Sequence, residues 1–282
     1  MVQSPLRQSV LAAIALAGMC CGGGTTSASD SLFDGTGTTV PATDPNQAVI
    51  IDHRQAYANA ALIPDSALSE ARSLEVLFGH QSVGQNILDG LAALENHSPS
   101  RYKLNLQAYP TFKAGGCISQ FPVGSNGNPS SKISDFQSKV NSGSAQGVQV
   151  ALFKFCFVDF TDSTDVSSLL QSYQTTMSAL ESGHPSVKFV YCTVPITTTY
   201  MATRAQFNAQ LRSYCEANGK ALFDIASIEA YDPSDKPVGG SQPTLYAGYA
   251  QGDGAHLNST GSIRLARAWW WLMARLAGWN ET

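Results

Sequence analysis

From about residue 74 to residue 277, the chain alternates short apolar runs with stretches that have the spacing of amphipathic helices. The strand-like runs are residues 74–78, 102–109, 148–157, 187–194 and 221–225. The helical stretches are residues 85–94, 133–140, 165–181, 204–218 and 262–277. Strands alternating with helices indicate βαβ units, and near-continuous apolar runs are typical of strands covered on both faces. The sequence therefore predicts an α/β fold around a mostly parallel, five-stranded sheet.

Ser82 occupies the turn between the first predicted strand and the helix that follows it. The stretch reads LFGHQSVGQNILDGL, with Gly79 before the serine and Gly84 after it. In parallel α/β sheets, ligands bind beyond the carboxyl ends of the strands, which is the edge where Ser82 lies. A serine at this corner either caps the helix or acts as a nucleophile, and a serine nucleophile needs an adjacent base.

His256 has the most suggestive surroundings of the five histidines. It lies in GDGAHLNSTG, three residues after Asp253 and just before the last predicted helix. A carboxylate at this spacing can hold the imidazole tautomer and stabilise the imidazolium. Taken alone, the D-x-x-H spacing also fits an ordinary exposed turn before a helix. Its position after the last strand, at the edge that carries Ser82, favours a catalytic role.

The closing block DGAHLNSTGSIRLARAW is very similar to that of the SGNH (GDSL-like) hydrolases. FNAQLRSYCEANGKALFDI resembles the helix and strand that precede this block in the family, and FVYCTVPIT resembles its strand with a Thr-Pro-type turn. The resemblance covers roughly residues 74–277 and implies a flavodoxin-like three-layer sandwich with esterase chemistry. It implies that Ser82 is the nucleophile, His256 the base and Asp253 its orienting partner.

Two blocks depart from the family pattern. Where the family has G-D-S, this chain reads GHQS, with an extra residue and no acid before Ser82. Where the family has G-x-N-D, this chain reads CFVD, so Val158 replaces the Asn whose side chain donates to the oxyanion. Loss of one such donor reduces the rate by about 10²–10³. Either another group substitutes for it or the enzyme is slow.

The resemblance also implies a glycine N–H donor from the loop after the second strand. Gly115 and Gly116 fit that place, and Gly116 is the preferred candidate beside the N–H of Ser82 itself. A substitute for the missing Asn is expected among three side chains near Ser82, which are His80, Gln81 and Asn86. Asp159 is interpreted either as a residue that orients a neighbouring loop or as an ordinary acid at a strand end.

The expected activity is hydrolysis of short acyl esters on small molecules or glycans, including O-acetyl groups, without a metal or organic cofactor. Two alternatives stay open: acyl transfer onto a surface glycan by the same residues, and ligand binding without turnover on a degenerate scaffold. Charged residues make up 13% of the chain and the net charge is −4, which argues against a nucleic-acid partner. The oligomeric state and the acyl length are not determined by the sequence.

The N-terminus predicts export. A ten-residue apolar run, residues 10–19, follows Arg7 and is too short to cross a bilayer. LAGMC resembles a lipoprotein box, in which Cys20 would be lipidated, and cleavage near residues 27–29 is the competing interpretation. Residues 1–29 are interpreted as a signal, 30–48 as a flexible tether and 49–282 as the hydrolase domain. The expected location is periplasmic, at the cell surface through lipidated Cys20, or secreted.

Four cysteines lie outside the signal region: Cys117, Cys156, Cys192 and Cys215. An even number in an exported chain is compatible with two disulfides, and pairing Cys117 with Cys156 and Cys192 with Cys215 is one of three connectivities. Four buried thiols are the alternative. None has the spacing of a zinc site.

The last helix contains three consecutive tryptophans. Its apolar face is predicted to consist of Leu265, Trp269, Leu272, Met273 and Leu276. The WWW run is therefore interpreted mainly as core and not as a sugar platform. Three arginines, Arg264, Arg267 and Arg275, are predicted to lie roughly opposite that face.

Overall fold

The computed structural model describes residues 47–57 and 62–281. Its strands are β1 Val49–Ile51, β2 Glu75–His80, β3 Leu106–Ala108, β4 Cys117–Pro122, β5 Val150–Phe153, β6 Lys188–Cys192 and β7 Ala221–Phe223. Its helices are α1 His53–Tyr57, α2 Asp65–Ser73, α3 Val83–His97, α4 Pro129–Asn141, α5 Val166–Gly183, α6 Ala202–Ala217, α7 Ile225–Glu229 and α8 Ser259–Leu276. The predicted signal, and all but the last two residues of the predicted tether, lie outside the described residues.

The seven strands form one parallel sheet in the order β1-β7-β6-β5-β2-β4-β3. Strand β2 therefore lies between β4 and β5, with Ser82 beyond its carboxyl end. Helices α2, α3, α7 and α8 cover one face of the sheet, and α4, α5 and α6 cover the other. The flavodoxin-like three-layer α/β fold is confirmed.

The predicted count of five strands is wrong, because β1 and β4 were not recognised. Strand β1 has only three residues, too few to show a periodicity. Strand β4, CISQFP, lies between the predicted strands 102–109 and 148–157, where the sequence predicted no strand. Its polar Ser119 is nevertheless fully buried, because it lies on the same face of β4 as Phe121, which belongs to the core beneath α4, α5 and α6.

Side chains of β2 alternate between the two cores. Val76 and Phe78 face α3 and α8, while Leu77 faces the opposite layer. Trp269 is fully buried against Phe78, with ring centroids 5.0 Å apart. The whole predicted apolar face of α8 is buried, and so are Trp270 and Trp271, which confirms the WWW run as core. In the described part of the chain, no helix has the length and apolar character needed to span a membrane.

The arginines of α8 correct one prediction. Arg264 is buried, with its Nε donating to the carbonyl oxygen of Ile228 and its guanidinium 5.4 Å from the centre of the Tyr249 ring. The long arginine stem packs against aromatic surface, so the residue does not need to face solvent. Arg267 is exposed and Arg275 is partly buried.

The four cysteines are buried free thiols, so the proposed disulfide pairing is wrong and the alternative is confirmed. Cys117 is level with Glu75, at the start of β2, whereas Cys156 lies beyond the carboxyl end of β5. Cys192 and Cys215 belong to cores on opposite faces of the sheet. Neither pair is placed for a disulfide.

Candidate active site

Ser82 sits at a sharp corner between β2 and α3, with φ 57° and ψ −118°. A positive φ is unusual for a residue with a side chain and is often found at functional sites. Its side chain makes no hydrogen bond to the first turn of α3, so it is not a helix cap. The corner instead turns the hydroxyl toward the loop before α8.

His256 and Asp253 complete a hydrogen-bonded series with Ser82. The Ser82 Oγ lies 2.7 Å from the His256 Nε2, and the His256 Nδ1 lies 2.5 Å from Asp253 Oδ2. A proton on Nδ1 is donated to the carboxylate, which leaves the Nε2 lone pair free to accept the hydroxyl proton. This is the arrangement that turns a serine hydroxyl into a nucleophile.

Asp253 is held as a carboxylate by its hydrogen bonds. The His256 side chain donates to it, and the backbone N–H groups of Ala255 and His256 each lie 3.0 Å from Oδ1. These donors, the imidazole first, lower the pKa of Asp253 to about 2. The carboxylate is therefore ionised at neutral pH. Gly254, with φ 68°, permits the tight turn between the acid and the base.

Close packing of α3 against α8 brings this turn to Ser82. A Cβ on Gly90 of α3 would lie 2.1 Å from the carbonyl oxygen of Ser262 in α8, so only glycine allows this approach. Asn258 caps α8 by accepting from the N–H of Gly261 at 3.1 Å. The loop that carries His256 is consequently fixed at both helices.

Asn86 positions the loop that carries the base. Its buried Oδ1 accepts a hydrogen bond from the N–H of Leu257 at 3.0 Å. That residue follows His256 directly, so Asn86 ties α3 to the base. This bond uses the amide oxygen of Asn86, so the sequence-based expectation that its amide nitrogen donates to an oxyanion stays a prediction.

Gln81 joins the corner to the loop after β4. Its Nε2 donates to the carbonyl oxygens of Val123 and Gly124, at 2.7 and 2.9 Å. The two amide protons are thereby used, which leaves no side-chain donor for an oxyanion.

His80 lies beneath the first turn of α3. A Cβ on Gly84 would approach the His80 Cβ to 2.4 Å, and the His80 Nε2 lies 3.0 Å from Gln120 Oε1. Burial and the neighbouring Lys154 ammonium lower the pKa of His80 to about 4, so it is neutral at pH 7. His80 therefore packs against the first turn of α3 and supports the corner that carries Ser82.

Gly116 lies at the other edge of the sheet. It precedes Cys117, which pairs with Glu75, and six residues of β2 separate that level from the serine corner. At about 3.3 Å per residue, this is roughly 20 Å. The expectation that Gly116 lies near Ser82 is wrong, because the chain returns to the amino edge between β3 and β4.

Asp159 connects the two loops that flank the serine corner. Its Oδ1 accepts from the N–H of Gly127 at 2.8 Å, and its Oδ2 accepts from Lys132 Nζ and the N–H of Cys156, both at 2.6 Å. Lys132 and Asp159 are both fully buried at their side chains. The Asp159 carboxylate thus fixes the loop after β4 to the turn after β5.

Sequence reasoning missed Lys132 and did not assign a role to Phe157. A lysine near the start of an amphipathic helix reads as solvent-exposed, and no sequence signal marks Lys132 as buried. The Phe157 ring lies edge-on to His256, with centroids 5.4 Å apart. The only sequence signal that links Phe157 to the site is its place in CFVD, the block that corresponds to G-x-N-D in the family. Val158, at the family's Asn position, is 45% exposed.

The backbone N–H of Ser82 is a further candidate for an oxyanion donor. In the described residues it donates to no other group. The described part of the chain also contains no group of three or more His, Cys, Asp or Glu side chains arranged to hold a metal ion.

No protein-family model matches the sequence, and no curated protein matches it. A Bacteroides fragilis protein to which acylhydrolase activity is ascribed superposes with a TM-score of 0.50, over 77% of this chain and 93% of its own, at 11% identity. The acetyl xylan esterase AlAXEase superposes with a TM-score of 0.47, over 70% of this chain and 98% of its own, at 16% identity. A Desulfitobacterium hafniense protein described as lipolytic and of the G-D-S-L family superposes with a TM-score of 0.42, over 72% of this chain and 98% of its own, at 10% identity. Identities this low establish the fold alone, which is the α/β fold that the chain shares with the Bacteroides fragilis protein.

Proposed function

We propose that this chain is a divergent SGNH serine hydrolase that cleaves short acyl esters. The observation that carries the proposal is the hydrogen-bonded series of Ser82, His256 and Asp253 at the carboxyl edge of the sheet. The acylhydrolase activity ascribed to the Bacteroides fragilis protein agrees with it, although a shared fold does not determine chemistry.

The geometry supports a two-step mechanism. Ser82 Oγ attacks the ester carbonyl carbon while His256 Nε2 takes the hydroxyl proton, and the Ser82 N–H stabilises the tetrahedral oxyanion. The intermediate collapses as His256 returns the proton to the leaving alcohol, which gives an acyl-serine. Water then attacks the acyl-serine with His256 again as base, which releases the carboxylic acid and restores the serine. Asp253 stays ionised and stabilises the imidazolium in both steps.

The exposure of the triad favours a substrate with a bulky alcohol part. The side chains of His256 and Asp253 are 36% and 48% exposed, so the reacting atoms lie near the protein surface. A glycan chain can approach such a site without entering a deep channel. The proposed substrate is therefore an ester of a short acyl group, such as acetyl, on a glycan or a comparable alcohol.

Export remains part of the proposal. Residues 1–29 would act as the signal, and lipidation of Cys20 would attach the hydrolase domain to a membrane through the tether. Labelling cells with a radioactive fatty acid tests the attachment. The full chain should incorporate label and a Cys20→Ala, Cys21→Ala variant should not, whereas an unlabelled wild type would favour cleavage near residues 27–29.

The activity is tested with p-nitrophenyl acetate and p-nitrophenyl octanoate. We expect faster turnover of the acetate, and a loss of about 10⁴-fold or more in kcat for Ser82→Ala and for His256→Ala. Ser241→Ala, at an exposed loop serine, is the matched control and should keep wild-type rates. Full activity in Ser82→Ala would disprove the assignment.

An acetylated oligosaccharide separates hydrolysis from transfer. Release of free acetate without acetylation of an added glycan acceptor supports the hydrolase. Acetylation of the acceptor that depends on Ser82 would instead identify a transferase that uses the same residues. Binding of the oligosaccharide without any turnover would identify a scaffold that only binds.

A further inference from the structure

A cavity of about 640 Å³ lies at the amino edge of the sheet, away from the triad. It is bounded by the end of α2, the segment 103–107, the segment 113–118 and two tryptophans of α8. We propose that this cavity binds a hydrophobic organic anion, with a carboxylate or phosphate at one end. None of the residues of the triad lines it.

The cavity is separate from the proposed active site. Cys117 lines it and pairs with Glu75 at the start of β2, whereas Ser82 follows the end of that strand. The separation is about 20 Å along the strand. A ligand of ordinary size therefore occupies one site or the other, and the binding proposed here does not depend on esterase activity.

The floor of the cavity is apolar. The side chains that form it are those of Leu74, Val76, Ile118, Trp269, Trp270 and Met273. All six are buried, including the two indoles, which are 0% and 3% exposed. A volume of this size matches ordinary small-molecule sites, which combine apolar walls with a few polar groups.

The charged side chains of the lining give the cavity a positive charge. Arg72, Lys103 and Lys113 contribute to its lining, and the lining contains no aspartate or glutamate. Arg72 is held in place by donating to the carbonyl oxygens of Ser100 and Arg101. The two lysines are exposed and form no salt bridge with any residue that the structure describes. Three cations in one lining, on a chain with a net charge of −4, favour an anionic ligand.

Calorimetry with the full chain tests the proposal. The probes are 6-methoxy-2-naphthoate and monooctyl phosphate, and the uncharged match for the first is (6-methoxy-2-naphthyl)methanol. We expect saturable binding of at least one anion with a Kd below about 1 mM, and binding of the alcohol at least about tenfold weaker. Vesicles of phosphatidylglycerol form a further arm. Vesicle binding that monooctyl phosphate displaces would identify a lipid headgroup as the source of the anion, and binding of the free anions alone would identify a soluble molecule.

Two variants locate the binding. Lys103→Ser with Lys113→Ser should raise the Kd about tenfold, and Lys236→Ser, at an exposed lysine outside the cavity, should leave it unchanged. Ala114→Trp should abolish binding by filling the cavity mouth without removing a charge. Circular dichroism and thermal melts verify that each variant folds. The proposal is wrong if neither anion binds, or if both cavity variants bind as well as the wild type.

Discussion

The Ser82 hydroxyl and the His256 imidazole lie 2.7 Å apart, although 174 positions separate them in the sequence. Two features of the fold create this contact. Strand β2 is central in the sheet and delivers Ser82 at its carboxyl end, and the close approach of α3 and α8 brings the His256 loop to the same edge. The proposed chemistry therefore depends on packing at Gly90 and Asn86 as well as on the triad itself.

Replacing Asp253 by Asn should lower kcat by about 10³–10⁴ and change KM little. The amide oxygen can still accept the two backbone N–H groups, but the imidazolium loses its ionised partner. Steady-state kinetics with p-nitrophenyl acetate measure both constants. Asp162→Asn, at an exposed aspartate, is the control. A kcat within threefold of the wild type would show that Asp253 does not support the base.

Replacing Phe157 by Ala should lower kcat between about twofold and tenfold. An edge-on aromatic contact contributes about 0.5–1.5 kcal/mol, and this one restrains the His256 ring. Phe157→Tyr keeps the ring and should restore most of the rate. If the alanine variant changes KM alone, Phe157 contacts the substrate and does not position the base.

Replacing Asp159 by Ala should reduce the free energy of unfolding by about 3–5 kcal/mol, because buried Lys132 then lacks its charge partner. Urea denaturation measures the change. Glu181→Ala removes a partly exposed partner of Lys220 and should cost at most about 1 kcal/mol. Equal losses of unfolding free energy in the two variants would mean that the buried Lys132–Asp159 pair stabilises the fold no more than a partly exposed pair.

Replacing Glu229 by Gln should stabilise the protein increasingly as the pH rises. Burial raises the pKa of Glu229 to about 8 from an ordinary value of 4.5, while its Oε2 accepts the N–H of Ile196. The folded state binds the proton more tightly than the unfolded chain, so the contribution of Glu229 to stability is lost as the pH rises from about 4.5 through about 8. Denaturation at several pH values should show the variant gaining on the wild type across that window. A constant difference between the two would contradict the raised pKa.

The proximity of the three proposed catalytic residues was predictable because it depends on chain order and on the edge of a parallel sheet. Ser82 follows an apolar strand, and Asp253 and His256 precede the last helix, so the topology alone brings them together. Gly116 was assigned to the wrong edge of the sheet because one strand was missing from the predicted chain order. Strand β4 contains polar residues and was not predicted, so the segment before it was assigned to the carboxyl edge although the chain had already returned to the amino edge.

The supporting residues were not predictable because their burial is a tertiary effect. Lys132 and Lys154 are fully buried, and lysines are rarely so. Their partners come from other elements, as with Asp159, or from the adjacent backbone, as with the carbonyl of Phe155. Likewise, His80, Gln81 and Asn86 are near Ser82 in sequence, but their hydrogen bonds are made with β4, with the loop after β4 and with the loop before α8, respectively. Their proximity to Ser82 in the sequence does not indicate which way these side chains point or which groups they bond.

Covalent labelling tests whether His256 activates Ser82 as a nucleophile. The full chain is treated with a fluorophosphonate, and the modified peptide is identified by mass spectrometry. We expect one adduct, on Ser82, in the wild type and in Ser241→Ala. We expect no adduct in Ser82→Ala and much slower labelling in His256→Ala. A correctly folded wild type that stays unlabelled, or that is labelled at another residue, would disprove the activation of Ser82 by His256.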